Sequence, residues 1–104
     1  MSATYALPQL KELIRSQKYL VTATARQTAA LLGFLDDEDI LDCILNHLLP
    51  SHFYKTMAAE QRPGLMQDVY KITYEGKRVY LKLQINRAGF AVIVSFKEDE
   101  SVLS

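Results

Sequence analysis

The stretch "VYLKLQI", from Val79 to Ile85, decides how this chain folds. Apolar side chains occupy every second position, and between them stand Tyr80, Lys82 and Gln84. Alternation with a period of two is typical of a strand that has one face in the core and the other in solvent. The stretch therefore predicts a phenol and an ammonium group side by side on the open face of a sheet.

Three other segments of the second half are similarly rich in aromatic and β-branched residues, which favours strands. The turns "YEGKR" and "NRAGF" separate the last three strands, and they predict an antiparallel meander. The loop "EQRPG" follows the first. The four predicted strands are "FYKTMAA" (53–59), "MQDVYKITY" (66–74), "RVYLKLQI" (78–85) and "FAVIVSFK" (90–97).

The first half has helical periodicity instead. Pro8 suits the first turn of one helix, Thr24 is the expected N-cap of a second, and Gly33 can end it. Asp36 is the expected N-cap of a third helix, which Pro50 stops. The segment "KYLVT" (18–22) is a candidate short strand, so the predicted order is α-(β)-α-α-β-β-β-β.

These elements predict an α+β fold, with N-terminal helices packed on a C-terminal, mainly antiparallel sheet of four or more strands. We expect residues 1–104 to form a single domain: 1–50 mainly helical, 51–97 the sheet and 98–104 an acidic tail. No apolar run reaches the roughly 18 residues of a membrane span, and the N-terminus lacks a signal-peptide pattern. With a single cysteine, Cys43, these features predict a cytoplasmic protein.

The net charge is zero, but the charges are segregated along the chain. Residues 1–50 carry four basic and six acidic side chains, whereas residues 51–97 carry eight basic and three acidic ones, a local charge of +5. A polyanion would be attracted to the second half. A solvated sheet face that uses lysine explains the same pattern.

Several catalytic chemistries lack their usual residues. His47 and His52 have no ligand partners at metal-site spacing, and Cys43 fits an apolar helical pattern. The acids of "DDED" fit the positive end of a helix dipole better than a metal site. We see neither a phosphate-cradling glycine loop nor a serine elbow. A metal centre or an enzyme built on Asp, Glu or His is therefore not expected.

A sheet face with lysines, a phenol and an amide suits a phosphodiester. Lysine neutralises the non-bridging oxygens, RNA supplies its own 2′-hydroxyl nucleophile, and a tyrosine whose pKa is lowered by a neighbouring lysine could move protons. The residues placed on this face are Lys55, Gln67, Tyr80, Lys82 and Lys97. Three alternatives remain open at this point: an ordinary soluble surface, a non-catalytic RNA-binding module with stacking tyrosines, and a protein-interaction domain that pairs through its sheet edge.

Four short motifs favour one interpretation over these alternatives, because their order and their separations match those of one protein family. They are "FYKTM" (53–57), "MQDVY" (66–70), "VYLKL" (79–83) and "VSFKE" (94–98), and together they resemble the MqsR family of bacterial toxins. The resemblance implies a RelE-like fold and the function of a type II toxin–antitoxin messenger-RNA endonuclease that inhibits translation and growth. It extends more weakly from Leu10 to Leu49.

The resemblance also implies which residues act. The family's activity-linked positions fall on Lys55, Gln67, Tyr80 and Lys97, and its looser RNA contacts on Met57 and Arg78. From the strand alternation we add Lys82 as a phosphate contact, and we add Arg62 in "EQRPG" as an RNA-binding residue.

A partner is implied as well. Toxins of this family are held inactive by a cognate antitoxin, which is MqsA-like, with a zinc-binding N-terminal domain and a helix-turn-helix domain. The toxin would need no cofactor or metal of its own, and it would meet operator DNA only indirectly, through the antitoxin.

Overall fold

The fold comes from a computed structural model that describes residues 2–60, 62 and 64–100. The helices are α1 (Leu7–Arg15), α2 (Ala23–Leu31) and α3 (Asp37–Asp42), and α3 continues as a π-helical turn over Cys43–His47. The strands are β1 (Tyr19–Val21), β2 (Phe53–Ala58), β3 (Met66–Tyr74), β4 (Lys77–Ile85) and β5 (Ala91–Glu98). The expected acidic tail begins as the end of β5, and its residues 101–104 lie outside the described part, as do Gln61 and Pro63 of the "EQRPG" loop.

The strands form one five-stranded sheet in the order β1-β5-β4-β3-β2. Each strand from β2 to β4 pairs antiparallel with the strand that follows it in sequence, so the predicted meander is confirmed. β1 pairs parallel with β5, which makes the sheet mixed at one edge. The predicted α+β class, with N-terminal helices and a mainly antiparallel C-terminal sheet, is confirmed.

All three helices pack on one face of this sheet, where the apolar residues of "VYLKLQI" point. Val79, Leu81 and Leu83 are buried there. The helices contribute Leu10, Ile14, Ala25, Ala29, Ile40 and Ile44 to the same core. The opposite face of the sheet carries Tyr80 and Lys82, and we call it the open face.

α2 begins two residues earlier than its predicted cap suggests. Thr22, not Thr24, is the N-cap, because its hydroxyl accepts a hydrogen bond from the Ala25 amide at 3.0 Å. The same hydroxyl donates to the Val94 carbonyl at 2.9 Å. Thr28 donates to the Phe96 carbonyl at 2.6 Å. Since β1 pairs with the first part of β5, α2 lies along the remaining edge of that strand.

The acidic cluster before α3 is used by local structure. Asp36 caps the helix by accepting from the Asp39 amide at 3.0 Å, as predicted. Asp37 makes a bidentate pair with Arg26, with both nitrogen–oxygen distances at 2.8 Å, and this pair lowers the pKa of the Asp37 carboxyl. Asp39 accepts from the Leu35 amide. Each of these carboxylates therefore has a structural role.

Asp68 is a buried carboxylate on β3. Its two oxygens accept hydrogen bonds from the Thr4 amide at 3.0 Å and the Tyr5 amide at 2.8 Å. Tyr5 in turn donates its hydroxyl to the Met66 carbonyl. Asp68 therefore anchors the segment before α1 to the sheet.

Cys43 is buried in the core, as predicted, and burial raises the pKa of its thiol to about 12. A thiol in this state is a packing group, not a nucleophile. In the described part of the chain, no helix is both long and apolar enough to cross a membrane.

Candidate active site on the open face

Strand register assembles the open face into rows, because residues directly opposite each other on neighbouring strands point to the same side. In the first row, Tyr80 of β4 lies between Lys97 of β5 and Lys71 of β3. The Lys97 ammonium lies 5.2 Å from the centre of the Tyr80 ring. The phenol and Lys97, which are distant in sequence, are thus neighbours.

The second row brings two more lysines onto this surface. Lys82 lies opposite Val69, and Val69 lies opposite Lys55 of β2. Lys55 is exposed and Lys82 is half-buried. With strands about 4.8 Å apart, Lys55 is about 10 Å from Lys82 across the sheet.

The third row holds the glutamine. The side-chain Nε2 of Gln67, on β3, donates a hydrogen bond to the side-chain Oε1 of Gln84, on β4, at 2.9 Å. Met57 of β2 lies opposite Gln67 on the other side. Gln67 therefore lies between two neighbours on the open face.

All four activity-linked positions implied by the resemblance thus share one face of the sheet. The distances within the set differ. Tyr80 and Lys97 are cross-strand neighbours, whereas Lys55 lies three strand spacings from the strand of Lys97, about 14 Å at the usual separation. Lys82 lies between them.

Tyr80 does not have the lowered pKa that the sequence suggested. Burial, the neighbouring Tyr54 phenol and the Asp99 carboxylate all raise the pKa of Tyr80 above its ordinary value of 10.0. The expectation of a cation-lowered pKa is therefore wrong. At neutral pH Tyr80 keeps its proton, so it is suited to donate a proton and not to remove one.

The two arginines lie at opposite ends of this surface. Arg78 precedes Tyr80 by two residues on β4, is exposed, and lines a small cavity of about 200 Å³ with Lys71 and Asp99. Arg62 lines a different hollow of about 340 Å³, together with Gln84 and Arg87. Arg62 therefore lies beyond the glutamine row and not beside Tyr80.

A groove of about 480 Å³ opens beside Tyr80 and Lys97. Leu31 and Leu32, at the end of α2, form its apolar wall. Glu98, Asp99 and Glu100 form part of its rim. This wall exists because α2 lies along the edge of β5.

Sequence reasoning missed several members of the surface. The Lys71 ammonium lies 3.9 Å from the centre of the Tyr54 ring and 3.7 Å from the Asp99 carboxylate. Gln84 was placed on the open face by the alternation of "VYLKLQI", but it was not foreseen as the partner of Gln67. The same count along β3 would have placed Lys71 on the face of Gln67. Asp99 follows the last predicted strand, and nothing in its local pattern marks it.

The histidines do not join this site. His47 is exposed, with its ring 4.7 Å from the Tyr74 ring, and His52 accepts from the Leu49 amide through Nδ1 at 2.9 Å. Among the described residues, no three His, Cys, Asp or Glu side chains are grouped in a way that could hold a metal ion.

Two comparisons with known proteins address the family. The profile of a family described as "Motility quorum-sensing regulator, toxin of MqsA" matches residues 2–98. The mRNA interferase toxin MqsR of Escherichia coli (strain K12) is 35% identical over 92 residues, which cover 88% of this chain and 90% of the relative. The family match contains the strands that build the open face, and the chain belongs to the MqsR toxin family.

Proposed function

We propose that this chain is the toxin of a toxin–antitoxin pair, an endoribonuclease that cleaves messenger RNA and so inhibits translation. Family membership supports the activity, since the E. coli relative is named an mRNA interferase. The strand register supports the assignment of the site, since Tyr80 lies opposite Lys97, with Lys82 and Gln67 in the adjoining rows.

The chemistry fits a surface of ammonium groups, amides and phenols. The RNA 2′-hydroxyl attacks the adjacent phosphorus, the bond from phosphorus to the 5′ oxygen breaks, and the products carry a 2′,3′-cyclic phosphate and a 5′-hydroxyl. The protein must hold the backbone in line, neutralise developing charge, let the 2′-hydroxyl proton pass to water and supply a proton to the leaving 5′ oxygen.

Tyr80 is the proton donor in this proposal. Its pKa is raised, so the phenol is protonated at neutral pH. Lys97, its cross-strand neighbour, stabilises charge on the phosphate beside it. A general acid in this position contributes about a hundred- to ten-thousand-fold in rate.

The other residues hold the substrate. Lys55 and Lys97 approach the RNA backbone from two sides of the open face, and Lys82 lies between them. Gln67, held by Gln84, orients a phosphate oxygen or a ribose hydroxyl by hydrogen bonding. Met57 and Arg78 border this path, and Arg62 contacts a more distant nucleotide.

The test is cleavage of end-labelled RNA by the purified protein in excess EDTA. We expect cleavage, product ends that carry a cyclic phosphate, and no cleavage at a linkage whose 2′-hydroxyl is replaced by hydrogen. Lys97→Gln should lose most of the activity. Arg15→Gln, a matched charge loss on α1 in the opposite layer, should not. Binding of intact RNA without cleavage would instead identify a non-catalytic RNA-binding module.

The chain has an antitoxin partner in this proposal. We infer that the partner combines a zinc-binding N-terminal domain with a helix-turn-helix domain, and that operator DNA reaches the toxin only through it. The free toxin would act in the cytoplasm, where messenger RNA is translated. Co-expression of such a protein, encoded beside this gene, should restore growth and co-purify with the chain. If co-expression neither restored growth nor gave co-purification, the proposed antitoxin partner would be wrong.

A further inference from the structure

We propose that Asp99 is a positioning residue of the nuclease site, which fixes Lys71 across the open face and so holds the side chains around Tyr80. The proposal rests on the proposed ribonuclease function. Asp99 lies outside the matched family segment, which ends at Glu98.

The placement of Asp99 follows from the end of β5. The Asp99 amide donates to the Arg78 carbonyl at 2.9 Å, which continues the pairing of β5 with β4 by one residue. Because Lys97 lies opposite Tyr80, Asp99 is brought to the same face of the sheet, one step further along. The residue is only 7% exposed, although its neighbours Glu98 and Glu100 are exposed.

Lys71 connects Asp99 to the rest of the surface. It starts on β3 opposite Tyr80, and its ammonium reaches Asp99, which lies beyond β4, at 3.7 Å. The same ammonium lies 3.9 Å from the centre of the Tyr54 ring. One lysine of β3 thus contacts a side chain of β2 and the residue that follows β5, on either side of Tyr80.

A charge pair of this kind restricts movement. The Lys71 side chain is 25% exposed and that of Asp99 is 6% exposed, so the pair is largely shielded from water. Removing one partner takes a compensating charge away from the other in a largely shielded place. Asp99 therefore controls both the position of Lys71 and the local electric field.

That field acts on Tyr80. Asp99 is one of the groups that raise the pKa of Tyr80, after burial and Tyr54. No charged residue of α2 lines the groove beside Tyr80. The charged and titratable groups that surround Tyr80 on the sheet are Tyr54 of β2, Lys71 of β3, Arg78 and Lys82 of β4, and Lys97, Glu98, Asp99 and Glu100 at the end of β5.

The two ends of the pair give opposite predictions. Asp99→Asn removes a negative charge near Tyr80, so the pH at which the cleavage rate falls on the alkaline side should move down. Lys71→Met removes a positive charge beside Asp99, so that pH should move up. Both variants should lower kcat about tenfold or more, since a displacement of about 1 Å in a reacting group can cost about a hundredfold.

The experiment measures single-turnover cleavage against pH for these variants, with thermal unfolding as a check on folding. Glu12→Gln is the matched control, because it removes the same charge from an exposed residue of α1 in the opposite layer, and it should leave the profile unchanged. Asp99→Glu keeps the charge and should retain the wild-type profile. If Asp99→Asn does not fold, Lys71→Met and Asp99→Glu still decide the question.

Cleavage by the wild type with unchanged rates and profiles in folded Asp99→Asn and Lys71→Met overturns this proposal alone. If the alkaline fall in rate moves in the same direction in both variants, the proposal is also overturned, because the charge of Asp99 predicts opposite shifts for the two. Absence of cleavage by the wild type overturns the ribonuclease function, and this proposal with it.

Discussion

Tyr80 shows how one side chain depends on its surroundings. The pattern in "VYLKLQI" places it on the open face, and burial together with Tyr54 and Asp99 raises its pKa above 10.0. A general acid acts only while it holds its proton. We therefore expect the cleavage rate to be independent of Tyr80 ionisation at neutral pH and to fall only at strongly alkaline pH, as the phenol loses its proton.

Replacing Tyr80 by Phe keeps the ring and removes the hydroxyl. We expect a loss of about a hundredfold or more in single-turnover rate, little change in RNA affinity, and disappearance of the alkaline fall. Rate–pH profiles and filter binding measure these quantities. An unchanged rate would remove the phenol from the chemistry.

Asp68 is next to Gln67 in sequence, yet its side chain faces the other side of the sheet. Asp68→Ala takes away the acceptor of the Thr4 and Tyr5 amides, and each lost hydrogen bond costs about 0.5–1.5 kcal/mol. We expect a clear fall in the free energy of unfolding in urea, with the cleavage rate of the folded protein unchanged. Glu60→Ala, at an exposed carboxylate, should leave both quantities as they are.

At the scale of elements, α2 is bound to the sheet through its N-cap residue. Thr22 both caps the helix and donates to Val94, whereas Thr24 was the cap expected from sequence. Thr22→Ala should cost about 1–2 kcal/mol of stability, within the usual range for a lost N-cap, and Thr24→Ala much less. Urea unfolding of the two variants decides between the caps, and equal losses would contradict the assignment.

α2 also explains why the sheet has a groove at this site. The short strand β1 pairs with the first part of β5, and the helix lies along the rest of the edge. The end of that helix then stands beside Tyr80 and Lys97. A longer β1 would occupy the place of this wall.

At the scale of the whole molecule, function depends on where charge lies and not on its total. The net charge is zero, but Lys55, Lys82 and Lys97 share one face, opposite the layer of helices. RNA binding should therefore weaken with salt. The slope of log affinity against log salt is about 0.7 per phosphate contact for single strands.

Removing one contact should reduce that slope by about the same amount. We expect this for Lys82→Gln, measured as RNA affinity over a series of salt concentrations with a variant that binds without cleaving, such as Tyr80→Phe. Arg15→Gln in the same background is the control, because α1 lies in the opposite layer. Equal slopes for the two charge losses would show that RNA does not follow the open face.

The sequence by itself determined the class of the fold, the meander and the side of each strand that faces solvent. It could do so because alternation, helical spacing and turn residues are local properties of the chain. The cap of α3 at Asp36 and the core position of Cys43 were likewise visible locally. The motifs around Lys55, Gln67, Tyr80 and Lys97 also pointed to the family that the comparisons establish.

Only the tertiary structure decided which side chains meet. The register of β3, β4 and β5 makes Tyr80 a neighbour of Lys97 and Lys71, and the end of β5 brings Asp99 to Lys71. The direction of the Tyr80 pKa shift is set by these neighbours, which are far away along the chain, so no local pattern could give it. Burial and Coulomb interactions depend on distances in space, and folding alone sets those distances.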